Sequence, residues 1–397
     1  MSVSTSSEEH LSKQNGDPVS PFSFSGLRHD RLSLAMLAGI LIQLLRTFHF
    51  LWTVSPEKTA YAEVMVVDGD TYLSNVARML EQGSWFFAPD RIHSVGMQLT
   101  TASLARVFGL DPLVVKCFNF VCFVASLGLV VSIAKGIGLT RRHALFAALL
   151  VASSLSLQRY CAMTQYEHMT MLLVLTAVFC VIQKKSFSFG TLMTVLCVFR
   201  LHFIPILLPL AWWLVRRSGR NELLRAGFAF ALTFALVYVP YSIHFGDWSG
   251  FQAFPEGPDR RWLCLGAPGF NYPHFRGDET SICGWSFVMG HPLEYLTLVI
   301  RRFFYWIGWL PDIWVVRWPS DLLEKSTILI VCGLNGVAAF SRRIAADTRA
   351  LSFTVAFSFA PFVIAGASNR YLLPFLPLAV LAAVSVAKSG TSSIRQL

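Results

Sequence analysis

Residues 112–134 read PLVVKCFNFVCFVASLGLVVSIA, with a single charged side chain, Lys116. As an α-helix such a run extends about 34 Å at about 1.5 Å per residue, enough to cross hydrocarbon about 30 Å thick. A water-facing helix carries polar residues on one side, whereas here every face is apolar. The run is therefore read as a membrane span.

The rest of the 397-residue chain has the same character. It is 54% hydrophobic and 14% charged, with a mean hydropathy of +0.53, 33 Phe and 11 Trp. A soluble domain carries about 25% charged residues, so soluble enzymes, disordered scaffolds, coiled coils and small disulfide modules are excluded. The chain reads as an all-α polytopic membrane protein. Ten spans are expected, over 32–53, 112–134, 144–157, 169–183, 186–199, 205–215, 223–245, 326–340, 351–367 and 371–387. The first run, preceded by a polar tail, is too long for a signal-peptide core and is expected to be retained. This divides the chain into a cytoplasmic tail, 1–31, and one transmembrane domain, 32–397, with amphipathic helices on the outer face.

Net charge is +10, but Lys and Arg sit in short clusters between spans: Arg141-Arg142, Lys184-Lys185, Arg216-Arg217 and Arg342-Arg343. Such clusters mark cytoplasmic loops, and no basic stripe suited to nucleic acid occurs. With both termini inside, the inner segments and span edges hold 17 Lys and Arg against 6 Asp and Glu, and the outer segments 14 against 17. Residues 186–215 could form one helix, which would set Lys184-Lys185 and Arg216-Arg217 on opposite sides. Two short helices turning near Arg200–Pro205 are preferred, because Pro205 and Pro209 interrupt a helix.

Two outer loops are long. The first, 54–111, contains Asp68-Gly69-Asp70-Thr71-Tyr72, followed by Leu73, Val76, Ala77 and Leu80 at helical spacing. Asp70 suits a helix N-cap and Gly83 a helix end, which leaves Asp68 free to reach a pocket; the plainer alternative is a capped surface helix with two solvated acids. The second loop, 246–325, is rich in Gly and Pro and closes on an aromatic segment, Tyr295–Trp314. That segment carries Arg301-Arg302 and is read as an interfacial or re-entrant helix.

The order of parts resembles the GT-C class of membrane glycosyltransferases, in particular the branch of protein O-mannosyltransferases and lipid A aminoarabinose transferases. Four pieces carry the likeness: Asp68-Gly69-Asp70-Thr71-Tyr72 with Ala77 and Gly83-Ser84-Trp85; Phe108-Gly109-Leu110; Gly284-Trp285-Ser286-Phe287 with His291-Pro292 and Tyr295; and Asn369-Arg370-Tyr371 with Pro374 and Pro377. Many members of that branch have Asp-Glu where Asp68-Gly69 stands here, so a second acid has to come from Asp70 or elsewhere. The resemblance implies transfer of a monosaccharide from a polyprenyl-phosphate carrier to a lipid, glycan or protein hydroxyl at the outer face, usually with inversion. A bacterial inner membrane is the expected location, the endoplasmic reticulum the second.

Under that resemblance Asp68 is the base that takes the acceptor proton, and Arg370, with Tyr371 beside it, meets the carrier phosphate. Arg200 with His202, and Arg301, are further phosphate candidates, while Tyr72 adjoins the acidic motif. Glu167, in Tyr166-Glu167-His168, could orient a sugar hydroxyl or supply the second acid; as a helix-start carboxylate it also fits the helix dipole alone. Arg370 has a snorkelling alternative, and Arg200 could pair with Glu167. No metal-ligand spacing links His93, His274 and His291; Asp68 and Asp70 could bind a divalent cation, although two carboxylates make a weak site. Of the eight Cys, Cys161, Cys264 and Cys283 fall in outer loops, and Cys264–Cys283 pairing would need an oxidising compartment. A secondary transporter and a non-catalytic lipid-binding subunit stand as alternatives, but no internal repeat is seen, and Arg46 is the main charge within a span.

Overall fold

The computed structural model describes residues 30–53, 73–83 except 75, 95–199 except 165, 201–245, parts of 292–300, 319–365 except 342–343, and 373–394. Among the described residues all regular structure is helical. The elements are α1 (Arg31–Thr53), α2 (Val95–Phe108), α3 (Pro112–Gly136), α4 (Arg141–Ala152), α5 (Leu155–Cys161), α6 (Glu167–Ile182) and α7 (Ser186–Phe199). A 3-10 turn (Leu201–Ile206) leads into α8 (Leu207–Ser218), followed by α9 (Arg220–Phe245), α10 (Pro319–Phe340), α11 (Ala346–Ala365) and α12 (Leu376–Ile394). Three helices are long and apolar enough to cross a membrane, Arg31–Thr53, Pro112–Gly136 and Arg220–Pro240, or four spans if the bent α4–α5 pair counts as one. The chain is thus an all-α protein of membrane-spanning character.

Arg217 ties one end of this bundle together. Its Nη2 and Nε donate to Asp347 Oδ2 and Oδ1 at 2.6 and 3.1 Å, while Trp213 Nε1 donates to the same Oδ1 at 2.7 Å. The guanidinium also donates to Ile182 O at 3.0 Å and Gly136 O at 3.3 Å. The last carbonyls of α-helices lack intrahelical donors, so one side chain serves the ends of α3 and α6 and pins them to α8 and α11. At the same end Arg142 donates to Asp30 at 3.1 Å, Lys388 to Gly138 O at 2.8 Å, and Ser186 to Glu222 at 2.6 Å. The Arg142 guanidinium, helped by the Ser33 hydroxyl, holds the Asp30 carboxyl well below the usual carboxylate range. The stabilisation from that depressed carboxylate is present at and above its ordinary range and is lost only in strong acid.

The turn between α7 and α8 agrees with the two-helix reading of 186–215, and it brings Ile182 and Arg217 to the same end. The expected third span, 144–157, is corrected: the helix breaks at Ser153-Ser154 and α5 leaves at 60° to α4. Ser154 Oγ caps α5 by accepting from Leu157 N at 3.3 Å, a local alternative to helix continuation. Gln158 Nε2 donates 2.7 Å to Ala152 O and 2.9 Å to Gln43 Oε1, which compensates the break and fastens it to α1.

Close approach of α7 and α9 depends on Gly190, where an added Cβ would lie 2.0 Å from Ala226 O. Thr194 Oγ1 donates across this contact to Phe230 O at 2.9 Å. Small residues with hydroxyls that bond across are what helix pairs use where water is absent.

Arg217 and Asp347 have side chains 21% and 27% exposed, so their pairing is partly screened. Asp347→Ala leaves the guanidinium with two carbonyls and is expected to cost about 2–3 kcal/mol, read as earlier unfolding of the detergent-solubilised protein. An unchanged melting curve would show that the ends are held without this pair.

Candidate functional site

At the opposite end of the bundle, α6 begins with Tyr166-Glu167-His168, and all three side chains are buried. Glu167, expected in a loop, is the first residue of the helix and only 1% exposed. A carboxylate there meets the unpaired N–H groups and the positive end of the helix dipole.

The helix N-terminus is covered by α2. Thr101 Oγ1 meets the Tyr166 hydroxyl, and Thr100 Oγ1 lies 3.7 Å from Met169 Sδ. An added Cβ at Gly96 would fall 2.5 Å from the Phe199 ring, so glycine permits α2 to reach α7. Met97, Val115, Tyr166 and Phe199 form one buried cluster, and Leu73 packs against it. Residues 73–74 and 76–81 are helical, with Val76 and Met79 fully buried on Ala102 and Ala105. The amphipathic stretch after Asp70 thus turns its apolar side to α2. Gly83 follows at φ +63°, a left-handed conformation suited to glycine at a helix end.

Behind Glu167, His168 Nε2 lies 2.8 Å from Leu157 O and 3.1 Å from Cys161 Sγ, and its ring centre is 5.2 Å from that of Phe123. A carbonyl only accepts, so Nε2 carries the proton and Nδ1 is left as a buried acceptor. Asn119 Nδ2 donates 3.0 Å to Met163 O and holds the connection between α5 and α6. Cys161, expected in an outer loop, is instead fully buried at the end of α5.

Of the residues expected to bear chemistry, Glu167 is described in full. For His202 the backbone is described, within the 3-10 turn. Asp68, Asp70, Tyr72, Arg200, Arg301, Arg370 and Tyr371 lie outside the described residues, as do Cys264, Cys283 and most of Tyr295–Trp314. Their described neighbours nevertheless converge. Leu73, Tyr166 and Phe199 share one cluster, and Phe203 packs edge-on against Phe375 with ring centres 5.3 Å apart. Among the described residues no group of three or more His, Cys, Asp or Glu is arranged to hold a metal.

Asn119, Gln158 and Arg159 were not singled out in the sequence. Their signal was there: Asn119 lies inside an apolar run and Gln158 and Arg159 directly after one, where amides and a guanidinium are costly in a membrane unless they have partners. No protein-family profile matches the chain, and no curated protein is significantly similar to it.

The Thr101–Tyr166 contact is expected to be worth about 1 kcal/mol net. Tyr166→Phe should therefore raise amide hydrogen exchange in α2 about fivefold. Exchange in α2 that stays at the wild-type rate would assign its docking to apolar packing alone.

Proposed function

We propose that this chain is a polytopic membrane glycosyltransferase of GT-C type, using a polyprenyl-phosphate-linked monosaccharide as donor. In this reading the chain crosses the membrane ten times: α1, α3, the broken α4–α5 pair, α6, α7, the 3-10 turn with α8, α9, α10, α11 and α12. Several of these are shorter than the ~20 residues of a standard span, so the bilayer thins locally or flanking residues complete the crossing. The Arg217 end, rich in Lys and Arg, faces the cytoplasm. The Glu167 end faces outward.

The observation that carries the reading is the shared cluster of Leu73, Tyr166 and Phe199. Each adjoins a segment with a candidate group: the Asp68–Tyr72 motif, Glu167, and Arg200 with His202. A fourth segment, with Arg370 and Tyr371, precedes Phe375, which packs on Phe203. Three stretches of chain meet in this cluster, and the fourth meets the 3-10 turn that follows Phe199, an arrangement suited to a site for acceptor hydroxyl, sugar and phosphate.

The chemistry follows from these groups. Asp68 takes the proton of the acceptor hydroxyl as its oxygen attacks the anomeric carbon. The bond from that carbon to the phosphate oxygen breaks, with inversion, and the polyprenyl phosphate leaves with the electron pair. Arg370 and Tyr371, with Arg200, His202 and Arg301 as further donors, stabilise the charge that grows on the phosphate. Glu167 serves as second acid or orients a sugar hydroxyl, Asp70 caps the following helix, and Tyr72 borders the sugar.

General-base assistance is worth about 10²–10⁴-fold. Asp68→Asn keeps the side-chain shape and is expected to reduce transfer by about that factor while donor binding persists. Transfer at the wild-type rate would remove Asp68 as the base.

A further inference from the structure

At the Arg217 end, two turns of chain lie side by side. Arg217 Nη1 donates to Ile182 O at 3.0 Å, and Ser186 Oγ donates to Glu222 Oε2 at 2.6 Å. These contacts bracket both turns, so the one that carries Lys184 and Lys185 runs alongside the one that carries Gly219 and Arg220. Helices α7 and α9 both start here, and Gly190 lets them approach closely at Ala226.

The charges on this edge are unbalanced. Elsewhere at the same end Arg142 meets Asp30, Arg217 meets Asp347, and Lys388 meets Gly138 O. Lys184, Lys185 and Arg220 are exposed and have no ion pair among the described residues. The carboxylate beside them, Glu222, accepts from Ser186 on Oε2 and from Arg225 on Oε1, each at 2.6 Å. Arg225 thus offsets Glu222, and three positive charges are left over. Lys185 N donates 2.8 Å to Cys180 O, which fixes the turn. Lys184 holds a left-handed backbone there, φ +58°, where glycine is the usual residue at a helix end.

Directly below the charges the surface is apolar. Arg220, Leu224 and Phe228 follow at i, i+4 and i+8 on one side of α9, and the two apolar side chains are 73% and 64% exposed. Phe187, one residue past Ser186, is 55% exposed. Over Arg220–Pro240 α9 is long and apolar enough to cross a membrane, so these cations stand at the membrane edge.

We propose that this edge binds an anionic phospholipid. Its phosphate sits among Lys184, Lys185 and Arg220, and an acyl chain lies over Leu224 and Phe228. A zwitterionic lipid would bring a further cation to three that lack a counter-charge, and a soluble anion would gain nothing from the apolar side chains one turn away. The bound lipid braces α7 against α9 where both begin. This site lies at the end away from Glu167 and is independent of the glycosyltransferase reading.

The test is titration of the full-length protein in dodecyl maltoside with dioleoyl phosphatidylglycerol, and separately with dioleoyl phosphatidylcholine, counting bound lipid by native mass spectrometry. Phosphatidylglycerol should bind in preference. The variant combining Lys184→Gln, Lys185→Gln and Arg220→Gln should lose affinity for it on the order of a hundredfold, at about fivefold per cation. All three side chains are exposed, so its melting temperature without added lipid should match the wild type; if it does not, Arg220→Gln alone, with a loss of about fivefold, carries the test. Arg31→Gln removes an exposed cation from the start of α1 at the same end and should leave binding unchanged. Wild-type affinity in the combined variant and in Arg220→Gln, an equal loss in Arg31→Gln, or equal binding of the two lipids would overturn the site. Displacement by soluble glycerol phosphate at matching concentration would make the ligand a free phosphate, and tighter binding of polyglutamate than of phosphatidylglycerol would assign the face to an acidic protein; either overturns the lipid.

Discussion

The last carbonyls of a helix lack intrahelical donors, and Arg217 answers that need for two helices at once. Its bidentate pairing with Asp347 fixes the plane of the guanidinium, and the remaining donors then reach Gly136 O and Ile182 O. Trp213 shares the same carboxylate. Lysine, with a point charge and no planar fork, could not serve these acceptors in one geometry. Four helices separated widely in sequence are thereby set level, and the opposite ends of the bundle inherit that alignment.

What is aligned there is a set of apolar contacts. Tyr166, Phe199 and Leu73 pack together, α2 covers them through Thr101 and Gly96, and Phe203 meets Phe375. The broken α4–α5 span stops short of a straight crossing, and its bend makes room for the connection that Asn119 holds in front of α6. Rigid packing on one side and irregular backbone on the other is the arrangement in which membrane proteins build sites, because non-helical backbone survives there only where protein or a cavity satisfies it.

The helical framework was largely legible. The run at 112–134 became Pro112–Gly136 because Asp111 caps its start, with Oδ1 accepting from Leu113 N, and Pro112 suits the first turn. The pairing of Lys184-Lys185 with Arg216-Arg217 predicted the turn at Pro205 that the 3-10 segment makes. Three things were not legible. Ser153-Ser154 sits in an apolar run whose length suggested one span, and only the Gln158 bonds to Ala152 and Gln43 show why a break is tolerated. Arg217 looked like any charge of a cytoplasmic loop, since its partner Asp347 lies 130 residues away. The burial of Glu167 was hidden in the same way, because nothing local announces that α2 folds back over the start of α6. Periodicity reports which residues are helical; burial of a polar group depends on partners distant in sequence.

The central claim is a sidedness claim as much as a chemical one: sugar leaves a lipid phosphate at the Glu167 end, away from the basic end. It is tested most directly in sealed vesicles of defined orientation, loaded with a radiolabelled polyprenyl-phosphate sugar and purified protein, by measuring the rate of sugar release or transfer. The account predicts turnover that is blocked by a membrane-impermeant carboxylate reagent on the face opposite the Arg217 end and unaffected by the same reagent on the Arg217 face. Inhibition from the Arg217 face alone, or no turnover with any polyprenyl-phosphate sugar, would contradict it.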